Sequence, residues 1–82
     1  MIIIDLARKH SISDHDIIFV YESSTNSILL EQKGRPTMTI LFGHDTIGRG
    51  LEIGYVTNDQ GEDIIVHAMK IRPGYKVYLY KG

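Results

Sequence analysis

Between His67 and Tyr75, nine positions reading "HAMKIRPGY", the chain sets out an imidazole, an ammonium, a guanidinium and a phenol: His67, Lys70, Arg72 and Tyr75. An imidazole that titrates near neutral pH can take or give a proton, and Lys and Arg can neutralise a phosphate, so the set suits phosphodiester cleavage. Arg49 stands between two glycines in "GRG". Glycine lets the backbone approach a ligand closely there, and a guanidinium can grip a phosphate through two hydrogen bonds. Each residue also has a plain structural reading. His67 shares one face of a regular strand with Ile65, Met69 and Ile71 and can be a histidine packed beside the core. Tyr75, Tyr78 and Tyr80 either stack on bases or pack the last element against a sheet, and His44 can be a solvated loop residue. Lys70 and Arg72 fall on the face opposite His67 in a regular strand. The three meet at one phosphate only if the strand breaks near Arg72-Pro73, where Pro73 and Gly74 make a break possible.

Other chemistries are poorly served. His10, His15, His44 and His67 include no pair at the i, i+4 spacing of a zinc helix, and no phosphate loop, dinucleotide fingerprint or serine elbow is present. No metal and no cofactor is expected. The absence of cysteine rules out disulfides and thiolate zinc sites and suits a cytoplasmic protein. The longest apolar run, "MIII", falls far short of the roughly 18 residues of a membrane span, so neither membrane insertion nor export is expected. The formal net charge of −1 differs from the positive field of a dedicated nucleic-acid binder. It conceals an asymmetry: from Ile64 onward the chain carries Lys70, Arg72, Lys76 and Lys81 and no acid, just after the acidic loop "NDQGED". That pattern implies a local anion site or a solvated basic end.

These residues must be positioned by a small domain, since 82 residues build one core and bury only roughly 60 to 65% of the unfolded surface. "SISDHDIIFVYE" predicts a helix from Asp14 to about Ser23, with Ser13 as N-cap, Asp14 and Asp16 on the first turn, and Ile12 and Ile17 as a hydrophobic staple. "IIIDLARKH" is read as an earlier helix from the spacing of Leu6, Ala7 and His10. After the loop "SSTNS" the period changes to two. "SILLEQ", "TMTILFG", "LEIGYVT" and "DIIVHAMKI" predict four strands joined by the turns "KGRP", "HDTIGR" and "NDQG". The expected fold is α+β, two N-terminal helices packed on a four-stranded, mainly antiparallel sheet.

Three blocks carry a resemblance. "RKHSISDHDI" resembles the helix start KHG(V/I)S..D/E, "GRGLEI" resembles the strand start GR-x-L-x-V, and "IIVHAMKIRPGY" resembles endings of the type VIHAM..R..Y. In this order they are similar to BrnT-type toxins and to short bacterial toxin-like proteins of the wider RelE and ParE superfamily, over about residues 5 to 78. The resemblance implies a ribonuclease that halts translation and is neutralised by a cognate antitoxin. Arg49 matches the arginine of GR, and Lys9 and His10 match KH. Where the family pattern reads ISAR, its serine falls on His67 and its arginine on Met69, so Lys70 or Arg72 would have to take the cationic role. On this reading Arg49 and Arg72 are phosphate cations, His67 is base or acid, and Lys70 supports them. Lys9, His10, Tyr75, Lys76 and Tyr78 contact RNA, free or on the ribosome. Two rival readings are a non-enzymatic interaction module that binds an antitoxin-like partner, and a homo-oligomeric β-domain with exposed edges.

Overall fold

The computed structural model describes residues 1–80, which leaves Lys81 outside. Strand β1 (Ile2–Ile3) leads into a short 3₁₀ helix at Asp5–Arg8 and then α1 (Asp14–Ser23). Strands β2 (Asn26–Leu30), β3 (Met38–His44), β4 (Gly50–Thr57) and β5 (Asp63–Lys70) follow, and a second 3₁₀ helix at Pro73–Leu79 ends the fold. The sheet order is β1-β5-β4-β3-β2. It is mixed, because β1 runs parallel to β5 while the other pairs form an antiparallel meander.

The fold is α+β with two corrections to the expected form: five strands in place of four, and one α-helix with 3₁₀ helices at either end of the chain in place of two N-terminal helices. The β-branched Ile2 and Ile3 pair with Ile64 and Ile65, and this takes the start of the chain out of the helix that the spacing of Leu6, Ala7 and His10 suggested. Only Asp5–Arg8 remains helical, with Ala7 turned into the core.

α1 forms where its caps place it. The amide of Asp16 donates to Ser13 Oγ at 3.1 Å, and the Ser13 hydroxyl donates to Asp16 Oδ2 at 3.0 Å, so cap and first-turn acid hold each other. Ile12 and Ile17 close the staple as buried residues. Ile17 and Val20 pack α1 on one face of the sheet against Leu51, Ile53, Ile65 and Ala68. Each fully buried aliphatic side chain in this layer is worth about 1.5 to 3 kcal/mol.

Ile65 and Ala68 both lie in that core although they are three positions apart, which strict alternation forbids. A β-bulge explains it. Gly54 pairs with His67 and Tyr55 with Ile65, so Val66 is an extra residue on β5. The phase shift corrects the expectation that His67 shares a face with Ile65. His67 turns instead to the face away from α1, where Met38, Ile40 and Phe42 of β3 and Glu52 and Gly54 of β4 also lie. A Cβ on Gly54 would meet Met38 Sδ at 2.5 Å and His67 Cβ at 3.1 Å, so glycine is what lets β3 and β5 close over β4 here.

The C-terminal 3₁₀ helix covers one end of this second face. Phe42 stacks on Tyr78 with ring centroids 4.9 Å apart and meets Tyr75 at 5.3 Å. The Asn26 amide group, on the edge strand β2, donates to the Tyr78 carbonyl at 2.7 Å. None of the described helices is long and apolar enough to cross a membrane.

Candidate functional site

Glu52, the sole acid of β4, is fully buried on the second face. A buried carboxylate is expensive unless cations and hydrogen bonds surround it. They do here. Oε1 accepts from His67 Nε2 at 2.8 Å and from Arg72 Nε at 3.0 Å, with Arg72 Nη2 in an ion pair at 2.7 Å, and Oε2 accepts from the Arg72 amide at 3.0 Å. Burial pushes the Glu52 carboxyl up, but the Arg72 side chain and amide and the His67 ring outweigh it and hold it below the usual glutamate range. Reciprocally, hydrogen bonding to Glu52 raises the Arg72 guanidinium above its ordinary value.

β5 ends at Lys70; the Ile71 amide still donates to the Gly50 carbonyl at 3.0 Å, and the chain turns away after it, the Arg72 amide donating to the Glu52 carboxylate. This break is what brings Arg72 to the same carboxylate as His67. The Arg72 guanidinium also lies over the Tyr75 ring, 5.1 Å from its centroid, beside a hollow of about 250 Å³ lined by Arg72, Gly74 and Tyr75.

Because Nε2 of His67 donates to an ionised carboxylate, the neutral ring keeps Nδ1 as its base. Among the described residues that nitrogen has no hydrogen-bond partner. His67 also forms part of the floor of a cleft of about 380 Å³, together with Val66, Val56 and Met38. Leu6 and Lys9 rise on one side, and Gln32, Arg35 and Pro36 of the β2–β3 connection rise on the other. His10 stands close by, its ring 6.3 Å from that of His67 in an edge-on arrangement.

Of the residues expected to work together, the structure gathers Lys9, His10, His67 and Arg72 around this face. It places Arg49 and Lys70 elsewhere. Arg49 serves the β3–β4 hairpin: its amide and Nε donate to the two Asp45 oxygens at 2.8 and 2.7 Å, and Nη2 reaches Asp16 on α1 at 3.3 Å. That is the α1 side of the sheet. The Asp45 carboxyl is pushed up by burial but pulled further down by the Arg49 amide and guanidinium and the Ile47 amide, ending below its usual value. Lys70 pairs with Leu51, whose side chain is in the core beneath α1, so Lys70 also projects to that side, where it is exposed. Tyr75 and Tyr78 are half-buried against Phe42, and Lys76 is exposed on the same 3₁₀ helix.

Sequence reasoning missed Glu52 and Arg35. A signal for Glu52 existed: His67 and Arg72 lie in a segment without acids, and the only acid across the ladder that alternates away from Leu51 and Ile53 is Glu52. Arg35 was masked by its setting in "KGRP", which explains itself as a turn. Yet Arg8 is paired with Asp5 and Asp14, Arg49 with Asp45 and Asp16, and Arg72 with Glu52, whereas Arg35 has no acidic partner among the described residues.

Compared with protein-family models, curated proteins and solved structures, the chain matches none.

Proposed function

We propose that this chain is a metal-independent endoribonuclease of the toxin class that its sequence blocks resemble, acting at the cleft floored by His67. The observation that carries the reading is the Glu52–His67 pair at the base of a cation-rimmed cleft. Glu52 fixes the ring and its tautomer, which is the positioning a general base requires. His67 Nδ1 takes the proton from a ribose 2′-hydroxyl, and the 2′-oxygen bonds to the adjacent phosphorus as the bond to the 5′-oxygen breaks. His10, in its protonated form, returns a proton to that leaving oxygen. The products are a 2′,3′-cyclic phosphate and a 5′-hydroxyl end. Lys9, on the His10 side of the cleft, supplies positive charge for the phosphorane-like transition state, and Arg72 acts through Glu52, which it holds in place.

A further detail supports the resemblance. The glycine of KHG(V/I)S falls on Ser11, and Ser11 has φ 60°, the left-handed region that favours glycine. The partners that go with the reading are RNA, free or on the ribosome, and an antitoxin protein that neutralises the toxin.

Incubation of the purified chain with end-labelled single-stranded RNA in the presence of EDTA tests this. Cleavage leaving cyclic-phosphate ends is expected, with His67→Ala slower by about 100- to 10,000-fold, the usual worth of a general base. Intact RNA, with and without ribosomes, would overturn the proposal. One observation favours the rival interaction module: three of the four arginines are neutralised within the fold and the net charge is −1. That reading is preferred if the folded chain binds a partner protein and leaves every RNA whole.

A further inference from the structure

The cleft has more than its catalytic floor. Sheet order explains its shape: Lys9 follows the 3₁₀ helix at the β1 edge, Arg35 sits in the connection at the β2 edge, and β5, β4 and β3 run between them. The two cations therefore face each other across the sheet. Both are exposed, and neither has an acidic partner among the described residues. Between them the surface is largely apolar, formed by Met38, Val56, Val66 and Pro36.

An apolar floor between two separated positive charges has a definite chemical complement: a flat, weakly polar body with an anion on each side. One nucleotide within a strand has that form, its base flanked by a 5′ and a 3′ phosphodiester. The floor lies below the rims, so the base must leave its stack to reach it, which a duplex resists at a cost of a few kcal/mol per base. Single strands can present an unstacked base freely.

We propose that the cleft is a single-nucleotide pocket that takes one unstacked base of single-stranded RNA on the Met38–Val56–Val66 floor, with Lys9 and Arg35 on the phosphates to either side. This rests on the ribonuclease reading and adds to it the strandedness of the substrate and a positioning residue, Arg35, on the wall opposite Lys9. The bulge at Val66 contributes twice, by turning His67 toward the cleft and by adding an apolar side chain to its floor.

The test uses the full chain with ¹³C-labelled methionine methyls and a 2′-O-methylated RNA tetranucleotide of mixed sequence, which binds without being cut. Met38 is on the floor, and Met1, which does not line the cleft, serves as the internal reference. Binding should move the Met38 methyl resonance and leave that of Met1 in place. A 2′-O-methylated duplex long enough to stay paired, carrying the same sequences within it, should leave Met38 unmoved. Arg35→Ala should weaken tetranucleotide binding at low salt and reduce the slope of log affinity against log salt by about 0.7, the loss of one phosphate contact on a single strand.

Tetranucleotide binding with Met38 silent, while RNA is still cut in a His67-dependent way, would overturn the pocket and leave the ribonuclease reading standing, since the strand would then reach His67 without seating a base on the floor. Cleavage of RNA duplexes at the rate of single strands would overturn it too. An acidic tetrapeptide that moves Met38 as strongly as the tetranucleotide at equal concentration would assign the cleft to a protein ligand instead. Absence of both RNA binding and RNA cleavage removes the proposal together with the reading beneath it.

Discussion

Glu52 is the residue on which the second face depends, because its two oxygens hold His67, the Arg72 guanidinium and the Arg72 amide in one arrangement. Removing Arg72 would leave a buried carboxylate short of its main cation. Orphaning a buried ion costs about 3 to 5 kcal/mol, but Arg72 is 52% exposed, so water can replace part of it and a loss nearer 2 kcal/mol is expected for Arg72→Ala. Glu52→Gln keeps the shape and removes the charge, and because both former partners reach solvent it should cost less than Arg72→Ala. Acid titration gives an independent check. The folded carboxyl lies below the ordinary glutamate value of 4.5, so its stabilisation is complete above about that pH and is lost as pH falls through the depressed folded value. Urea unfolding should show wild type more stable than Glu52→Gln at pH 7, with the gap closing as the pH drops below about 4.5. A gap that persists unchanged at pH 2.5 would mean that the glutamate contributes through packing and not through its charge.

At the scale of elements, the bulge between β4 and β5 decides which face His67 serves. Gly54→Ala probes it directly. The new methyl would press on the Met38 thioether, which can swing aside, and on His67 Cβ, which moves only with the strand. Overpacking of this kind costs about 1 to 3 kcal/mol, so a lower melting temperature is expected together with shifted His67 ring resonances. A lower melting temperature with those resonances unmoved would show that β5 is not what yields. The elements themselves were largely legible. Ser13, Asp16, Ile12 and Ile17 located α1, and the period-two runs located β2 to β5 to within about two residues at each end. What the residues did not disclose is non-local. Ile2 and Ile3 suit a strand or a helix equally until β5 is beside them, and an inserted residue such as Val66 leaves no mark on a sequence whose neighbours are all apolar.

Across the whole molecule, the sheet separates two groups of charge that look like one group in the sequence. Arg49 joins Asp45 and Asp16 on the α1 side, and His67 and Arg72 join Glu52 on the other. Residue type alone made Arg49, Lys70 and Arg72 equal candidates for phosphate. The fold sorts them by which already hold an acid, information that depends on pairings between segments up to 33 positions apart in the chain. Lys9, His10, His67 and Arg72 were named from the sequence and lie around one face, whereas Arg35 and Glu52 were passed over because only the fold shows which charges are paired. The division also predicts that two variants will fail in opposite ways. Arg49→Ala strips the side-chain partner from the buried Asp45, which keeps only backbone donors, and hydrogen bonds to a charged group are worth about 1.5 to 3 kcal/mol. Its melting temperature should therefore fall while, on the proposed ribonuclease reading, cleavage per folded molecule stays within about twofold of wild type. His67→Ala should do the reverse to activity, losing cleavage under conditions where circular dichroism shows the chain still folded. Should folded Arg49→Ala lose cleavage as completely as His67→Ala, the catalytic centre would have to include the α1 side of the sheet, and the cleft floored by His67 could not be the whole of it.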